Sequence, residues 1–214
     1  MKRQPPRMIR TDLPFFADRP DKPEADDDLC VEGCVLENDS LAPHQTEFST
    51  FTGCILRKIP FSLIQTNRLH ITDCVFDRCD LSGCRFPAGS VTRAVFRNCR
   101  ASGLILDKMH LKDVLFENCR MDYASFDSCR LERAEFIDCD LHHLVLYASR
   151  QKELAFLRCS LNDAEILTTS LEGVDFSSCT LERITAQGEL FRGASINLAQ
   201  ASGILSLFDI RIRP

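Results

Sequence analysis

Twelve cysteines and five histidines in 214 residues are the side chains that could close disulfides, hold a metal or act as nucleophiles. Their spacing decides among those chemistries. Cys79, Cys99, Cys119, Cys139, Cys159 and Cys179 recur every twenty residues, as do Cys34, Cys54 and Cys74. No CxxC pair occurs, and His44, His70, His110, His142 and His143 do not gather with the thiols, so the pattern offers zinc no ligand set. No metal and no cofactor is expected. There is also no serine-centred elbow, glycine-rich phosphate loop or HExxH motif, and the expectation is a protein that is not an enzyme.

Residues twenty apart can stand together only if the chain returns to the same place every twenty residues. A second series says the same: Phe76, Phe96, Phe116, Phe136, Phe156 and Phe176 each precede one of the six cysteines by three positions. Beneath it runs a finer period. Every fifth residue from Val31 to Ser206 gives 36 positions, of which 32 are apolar, the exceptions being Thr46, Thr66, Gln151 and Ser206. Five matches neither the 3.6 of a helix nor the 2 of a flat strand, so it marks an internal repeat. Two residues before each of these central positions sits a smaller inward residue, a set that holds eleven of the twelve cysteines.

Five nested in twenty describes a coil with four sides of five residues, stacked in register on the next coil. Two side chains per side point inward and three outward. Coils lie about 4.8 Å apart, and parallel Cβ vectors at that distance exceed the roughly 3.5–4.5 Å that a disulfide requires. The cysteines are therefore predicted to be a ladder of buried thiols packing as small hydrophobes, which implies a reducing, cytoplasmic location. The phenylalanines are predicted to be a stacked core column.

The unit resembles the pentapeptide-repeat family, whose repeat is a small residue, Asp or Asn, then Leu or Phe, then two variable residues. Cys79-Asp80-Leu81, Cys139-Asp140-Leu141 and Val174-Asp175-Phe176 match directly, and the frame covers about 180 residues. Departures are Cys where the family prefers Ala, and Arg or Ser where it prefers Asp or Asn. The resemblance implies an all-β fold, a right-handed quadrilateral parallel β-helix of about nine coils. It also implies a function: well-understood members are bacterial proteins that bind DNA gyrase or topoisomerase IV by imitating the size and negative charge of duplex DNA, protecting the enzyme from quinolones or peptide toxins. The chain has the length and acidic sign for this. It lacks the projecting loops that would interrupt the frame, and no C-terminal amphipathic helix that would dimerise the rod is expected. The alternative is a scaffold or secreted effector that offers its sides to an unrelated protein.

Along the chain, residues 1–28 hold five of the nine prolines and the cluster Asp26-Asp27-Asp28. Continuing the frame backwards would bury Glu24 and Asp26, so this stretch is expected to be a flexible N-terminal arm, with Leu13, Phe15 and Phe16 placed to cap the first coil. The β-helix is expected over 29–207, rougher up to residue 73, where Pro43 and Pro60 favour bends over paired strand. Around Gln151 a local bulge is expected. Beyond Leu207, Asp209 and Arg211 would turn inward, leaving 208–214 as a short tail. No stretch is apolar enough for a membrane helix, and the basic N-terminus lacks the apolar core of a signal peptide.

Function is thus expected on the outer surface. Residues 31–206 carry 18 basic and 23 acidic side chains, which disfavours direct nucleic-acid binding and favours a protein partner, with a type II topoisomerase the specific possibility. Two columns alternate in sign: Lys112, Glu132, Lys152, Glu172 and Arg192, and Glu37, Arg57, Asp77, Arg97 and Glu117. A third is apolar. Val35, Ile55, Val75, Val95 and Leu115 should form an outward stripe, covered either by the N-terminal arm or by a second protein.

Overall fold

The structure is a computed structural model, and it describes residues 28–38, 44–208 and 210. Residues 1–27 of the expected arm, with its cap residues Leu13, Phe15 and Phe16, and Asp39, Pro43, Asp209 and Arg211 lie outside the described residues. Within them the chain is a parallel β-helix in which every paired residue meets the one twenty positions away, as in Val75↔Val95, Leu111↔Leu131 and Phe126↔Leu146. Its sides can be lettered in the order the chain meets them. Side A is centred on Val31, Phe51, Ile71, Val91, Leu111 and Leu131, side B on the phenylalanine series, side C on Leu81, Met121 and Leu141, and side D on Phe86, Leu106, Phe126 and Leu146.

Sides A and B share an eleven-stranded sheet, to which Leu29–Glu32, Ile64–Thr72, Gly89–Arg97, Met109–Glu117 and Arg130–Ile137 contribute. Side D is a six-stranded sheet that includes Ile105–Asp107, Ser125–Asp127 and Val145–Tyr147. Side C is held by single bridges, from Pro60↔Asp80 to Ser160↔Thr180. Beside Pro60, which has no N–H to give a ladder, the chain forms the short 3-10 helix Phe61–Leu63.

The core is the predicted one. Phe76 to Phe176 stack at centroid spacings of 4.5–5.6 Å with ring planes within 18° of each other. All twelve cysteines are free thiols, and all but Cys30 are buried. In the main ladder Cys99, Cys119, Cys139 and Cys159 each donate to the carbonyl of the phenylalanine 23 residues earlier, as from Cys119 to Phe96 at 3.4 Å and from Cys159 to Phe136 at 3.3 Å, and Cys79 donates to that of Leu56. Burial pushes the Cys84 and Cys129 thiols up to about 12, which leaves them protonated and inert. The packed interior leaves a cavity of only about 20 Å³ beside Phe96 and Leu106, lined by apolar side chains.

Each coil turns at the residue two places after a central one. Among the described residues twenty non-glycine ones take φ between 46° and 59° there, including Arg93, Lys108, Tyr123 and Arg133. This left-handed conformation costs an L-residue about 1–2 kcal/mol. What compensates at many corners is a hydrogen bond from the corner N–H to the next coil, as from Arg78 to the Arg97 carbonyl at 2.9 Å and from Lys108 to that of Asp127 at 2.9 Å.

Three expectations need correction. There are about eight turns, not nine. Around Gln151 there is no bulge, because Arg150–Lys152 pairs in register with Arg130–Glu132. The polar side chain is accommodated by donating from Nε2 to the carbonyls of Ser170 at 3.3 Å and Glu172 at 2.9 Å. Finally, the frame does not run as coil to Leu207. Asn197 and Gln200 form a capping box, and the helix Ala201–Ser206 follows, with Ile204 buried. Gln200 Nε2 donates to the carbonyls of Phe176 at 2.9 Å and Cys179 at 2.7 Å, while Asn197 Nδ2 donates to Ser177 at 2.8 Å. These side-chain amides meet carbonyls of the last full coil where the ladder stops.

Candidate binding faces

With the interior filled, the chemistry available to a partner is that of the outward columns. Most of their charge is already spent between coils. Arg93 grips Asp73 through two bonds of 2.7 Å, and Arg133 holds Asp113 at 2.6 and 2.9 Å. On other edges Arg158 holds Asp138 at 2.6 Å, and Arg183 holds Asp163 at 2.7 Å. In each of these pairs both residues sit at left-handed corners, so the forks tie successive turns at their most strained points. Along the expected alternating column, Arg97 reaches Glu117 at 3.0 Å and Arg57 lies 3.8 Å from Glu37. Each side mixes signs. Side C, for example, carries Asp80, Asp122, Asp140, Asp163 and Glu182 among Arg100, Arg120 and Arg183.

These forks carry a pH consequence. The bidentate bonds from Arg158 and Arg183 hold the carboxyls of Asp138 and Asp163 below the usual carboxylate range. A carboxyl lowered in the folded state stabilises it above the unfolded value near 3.9, and that contribution is lost as pH falls through the lower folded value. The melting temperature should therefore be flat from neutral pH down to about pH 5 and fall below about pH 4. In Arg158→Met and Arg183→Met the acid limb should be shallower; an unchanged limb would show that the forks do not set it.

One cluster on side C has the composition of a hydrolase site. His142 Nδ1 lies 2.5 Å from Asp140 Oδ1, and its Nε2 lies 3.2 Å from Ser160 Oγ. The adjoining backbone N–H groups that would stabilise an oxyanion are engaged: Ser160 donates to Cys139, Leu161 to Thr180 and His143 to Asn162. Ser160 Oγ also accepts from Thr180. What the cluster does is tie two coils together across a sparsely paired side.

The expected apolar stripe exists in register, Val35↔Ile55↔Val75↔Val95↔Leu115, and ends at Glu135. Its burial is uneven. Val35, Ile55 and Val75 are half-buried, whereas Val95 and Leu115 are 4% and 5% exposed. The predicted ladders of Phe76, Phe96, Phe116, Phe136, Phe156 and Phe176 and of Cys79 to Cys179 are interior and make no site.

A second face went unremarked in the sequence. The protein has only two tyrosines, and both stand exposed on or beside side D, Tyr123 at 61% and Tyr147 at 44%. Tyr123 stacks on His143 with centroids 4.5 Å apart and planes 10° from parallel. The signal was available: both fall on outward positions of the five-residue frame.

A family model described as a pentapeptide repeat region matches residues 69–134 and 109–202. No curated protein matches the chain. Among solved structures, full-length QnrB1, a plasmid-mediated fluoroquinolone resistance protein, is 16% identical, with 86% of this chain and 100% of that chain covered and a TM-score of 0.39. HetL, a pentapeptide repeat protein involved in heterocyst differentiation regulation from the cyanobacterium Nostoc sp. Strain PCC 7120, is 17% identical, with 79% and 83% covered and a TM-score of 0.38. Among the described residues no helix is long and apolar enough to cross a membrane.

Proposed function

Because the chain belongs to the pentapeptide-repeat family, we propose that it is a non-catalytic rod that binds a protein partner through its outer sides, in a reducing cytoplasm. The supporting observation is the division of labour between inside and outside. Inward positions are filled mainly by a recurring set of Phe, Leu, Ile, Val, Cys and Ala, whereas the outward columns differ from side to side. Uniform interiors build a rod, and varied exteriors address a partner. A photo-crosslinking residue placed singly at Thr92, Val75, Ser82 and Ser125 samples sides A to D in turn. One protein species captured from one or two sides supports the reading, and no capture from any side overturns it.

A type II topoisomerase is the specific partner that family resemblance suggests, and a net charge of −5 agrees in sign. The interleaved arginines argue for a partner that reads mixed polar and aromatic contacts over one that accepts a continuous acidic face. Titration into a gyrase supercoiling assay containing a quinolone separates the two. Restored supercoiling supports target protection; no effect on drug or enzyme leaves the unrelated partner. The stripe from Val35 to Leu115 is a further proposed contact, taken up by residues 1–28 or by the partner. Val75→Lys at its half-buried part should loosen whichever covers it, read as faster proteolysis of residues 1–28 or as weaker capture.

A further inference from the structure

Facing arginines occur on sides A and C, at Arg130↔Arg150 and Arg100↔Arg120, but facing carboxylates are found on side D. Among the described residues, carboxylates stand on facing positions of adjacent coils at one place, Asp107↔Asp127. Elsewhere an acidic residue faces an Arg, a Lys or an uncharged residue, as in Asp80↔Arg100, Asp77↔Arg97 and Lys112↔Glu132. Like charges directly opposite are destabilising, and the backbones that carry these two lie about 4.8 Å apart. Local relief is slight. Lys108 Nζ lies 3.3 Å from Asp107 on a 70% exposed side chain, and Ser128 Oγ donates to Asp127 at 2.8 Å.

The same column continues from Asp127 to Tyr147 and Leu167, and the neighbouring one runs through Ile105, Ser125 and Val145. The adjoining corner bears the Tyr123–His143 stack. Both tyrosines of the chain, three aliphatic side chains and a facing carboxylate pair thus share a patch three coil spacings high, roughly 14 Å. Exposed aromatic rings supply rigid contact area at low entropic cost, and their faces attract guanidinium groups. Carboxylates beside them select the same cation and take it bidentately.

We propose that this face of side D is a docking surface for a protein partner that presents an arginine-rich segment, the cation lying between Asp107 and Asp127 and its neighbours over Tyr147 and Tyr123. The proposal rests on the protein-binding reading above and names the side and the chemistry of the contact. Its occupant is chosen by charge complementarity: a cation removes the repulsion that the free rod carries, so the face is stabilised by being occupied.

The chain has no tryptophan, so its two tyrosines make emission near 303 nm a reporter of this patch alone. The probe is hexa-arginine amide, added to the full-length protein at physiological ionic strength. A saturable change in tyrosine emission is expected, with none from hexa-glutamate. In Asp107→Asn/Asp127→Asn the affinity should fall about tenfold, whereas Glu172→Gln/Glu189→Gln, which removes the same charge elsewhere, should stay within about twofold. Tyr147→Ala, followed by calorimetry, should lose affinity as the Asp pair does. Asp127→Lys should abolish binding and raise the melting temperature, because it sets opposite charge on Asp107. Equal loss in the two double variants would show mere attraction to an acidic rod and overturn the proposal. So would a silent hexa-arginine titration combined with faster proteolysis of residues 1–27 in Asp127→Lys, which would assign the face to the chain's own basic start. The outcomes stay separable from the parent reading: crosslinks from side A or B but not Ser125 remove this surface alone, whereas none from any side removes protein binding itself.

Discussion

Phe116→Ala is expected to lower the unfolding free energy by about 3–5 kcal/mol, the largest loss of any single truncation in the core. The ring is 3% exposed and lies between Phe96 at 4.8 Å and Phe136 at 4.9 Å, with planes 13° and 6° away. Truncation removes its own burial and both stacking partners, each contact being worth about 0.5–1.5 kcal/mol beyond area. The hole cannot collapse, because the coils above and below are fixed by the backbone ladders of Gly89–Arg97, Met109–Glu117 and Arg130–Ile137. Position in the rod adds a second signature. A solenoid is stabilised by nearest-neighbour interfaces, so a defect in a middle coil weakens the link between two halves, whereas one in an end coil frays only that end. Denaturant melts should show the full loss with a broadened or split transition. Leu157→Ala, at an exposed outward position of the same side, should change stability by less than about 0.5 kcal/mol. A loss below about 1 kcal/mol in Phe116→Ala would mean that the ring column does not hold the rod together.

What the sequence revealed of this fold follows from how a β-helix stores information. A period of twenty is an address: Phe96 and Phe116 must stack if each coil has twenty residues, and so must Cys99 and Cys119. The same arithmetic placed Val35, Ile55, Val75, Val95 and Leu115 in one line. It could not say which of them are covered, because burial of Val95 and Leu115 depends on what lies over the column and not on the frame. The corners were invisible for a different reason. Arg78, Lys108, Asp138 and His143 have no strong intrinsic demand for positive φ, and they adopt it where the neighbouring coil offers a carbonyl to the corner N–H. That bond is non-local, and no window of sequence contains it. The C-terminal cap escaped for a third reason. Gln200 occupies an outward position of the repeat, yet it turns inward to donate to the carbonyls of Phe176 and Cys179 at the end of the ladder. Gln151, read as the mark of a bulge, does similar service within the rod.

The candidate binding face lies where the surface pattern is interrupted. Two columns alternate in charge, and the informative residues are those that depart from such alternation. Asp107 and Asp127 do so with the same sign, and Tyr123 and Tyr147 do so by exposing rings where most outward positions are polar. A repeat protein makes such exceptions conspicuous once the columns are aligned, since every other coil supplies a comparison. The stripe on side B and the patch on side D are both apolar, but only the second has a charge arrangement that names its occupant.

Gly89→Ala is the substitution expected to damage the rod most for the fewest atoms added. Gly89 has φ +135°, which is not the left-handed value used by the corners but a region that is essentially glycine's alone. A side chain there costs about 1–3 kcal/mol in backbone strain, and space makes it worse. A Cβ on Gly89 would lie 1.9 Å from the Leu69 carbonyl oxygen and 2.8 Å from the Leu69 nitrogen. Those are backbone atoms of the adjacent coil, so no rotamer change gives way. Relief requires the Leu69↔Gly89 pairing to open, and with it the junction of Ile64–Thr72 to Gly89–Arg97 that joins the rougher early coils to the regular ones. Gly33 supplies the control, since its φ is +59° and an added Cβ there meets nothing within 4 Å. Asn tolerates that conformation, and Gly33→Asn should therefore cost less than about 1 kcal/mol. Gly89→Ala should lose at least about 3 kcal/mol and expose the segment ahead of residue 89 to hydrogen exchange while 109–186 stays protected. If Gly89→Ala and Gly33→Asn melt together, the close approach at Leu69 is not a feature of the folded protein.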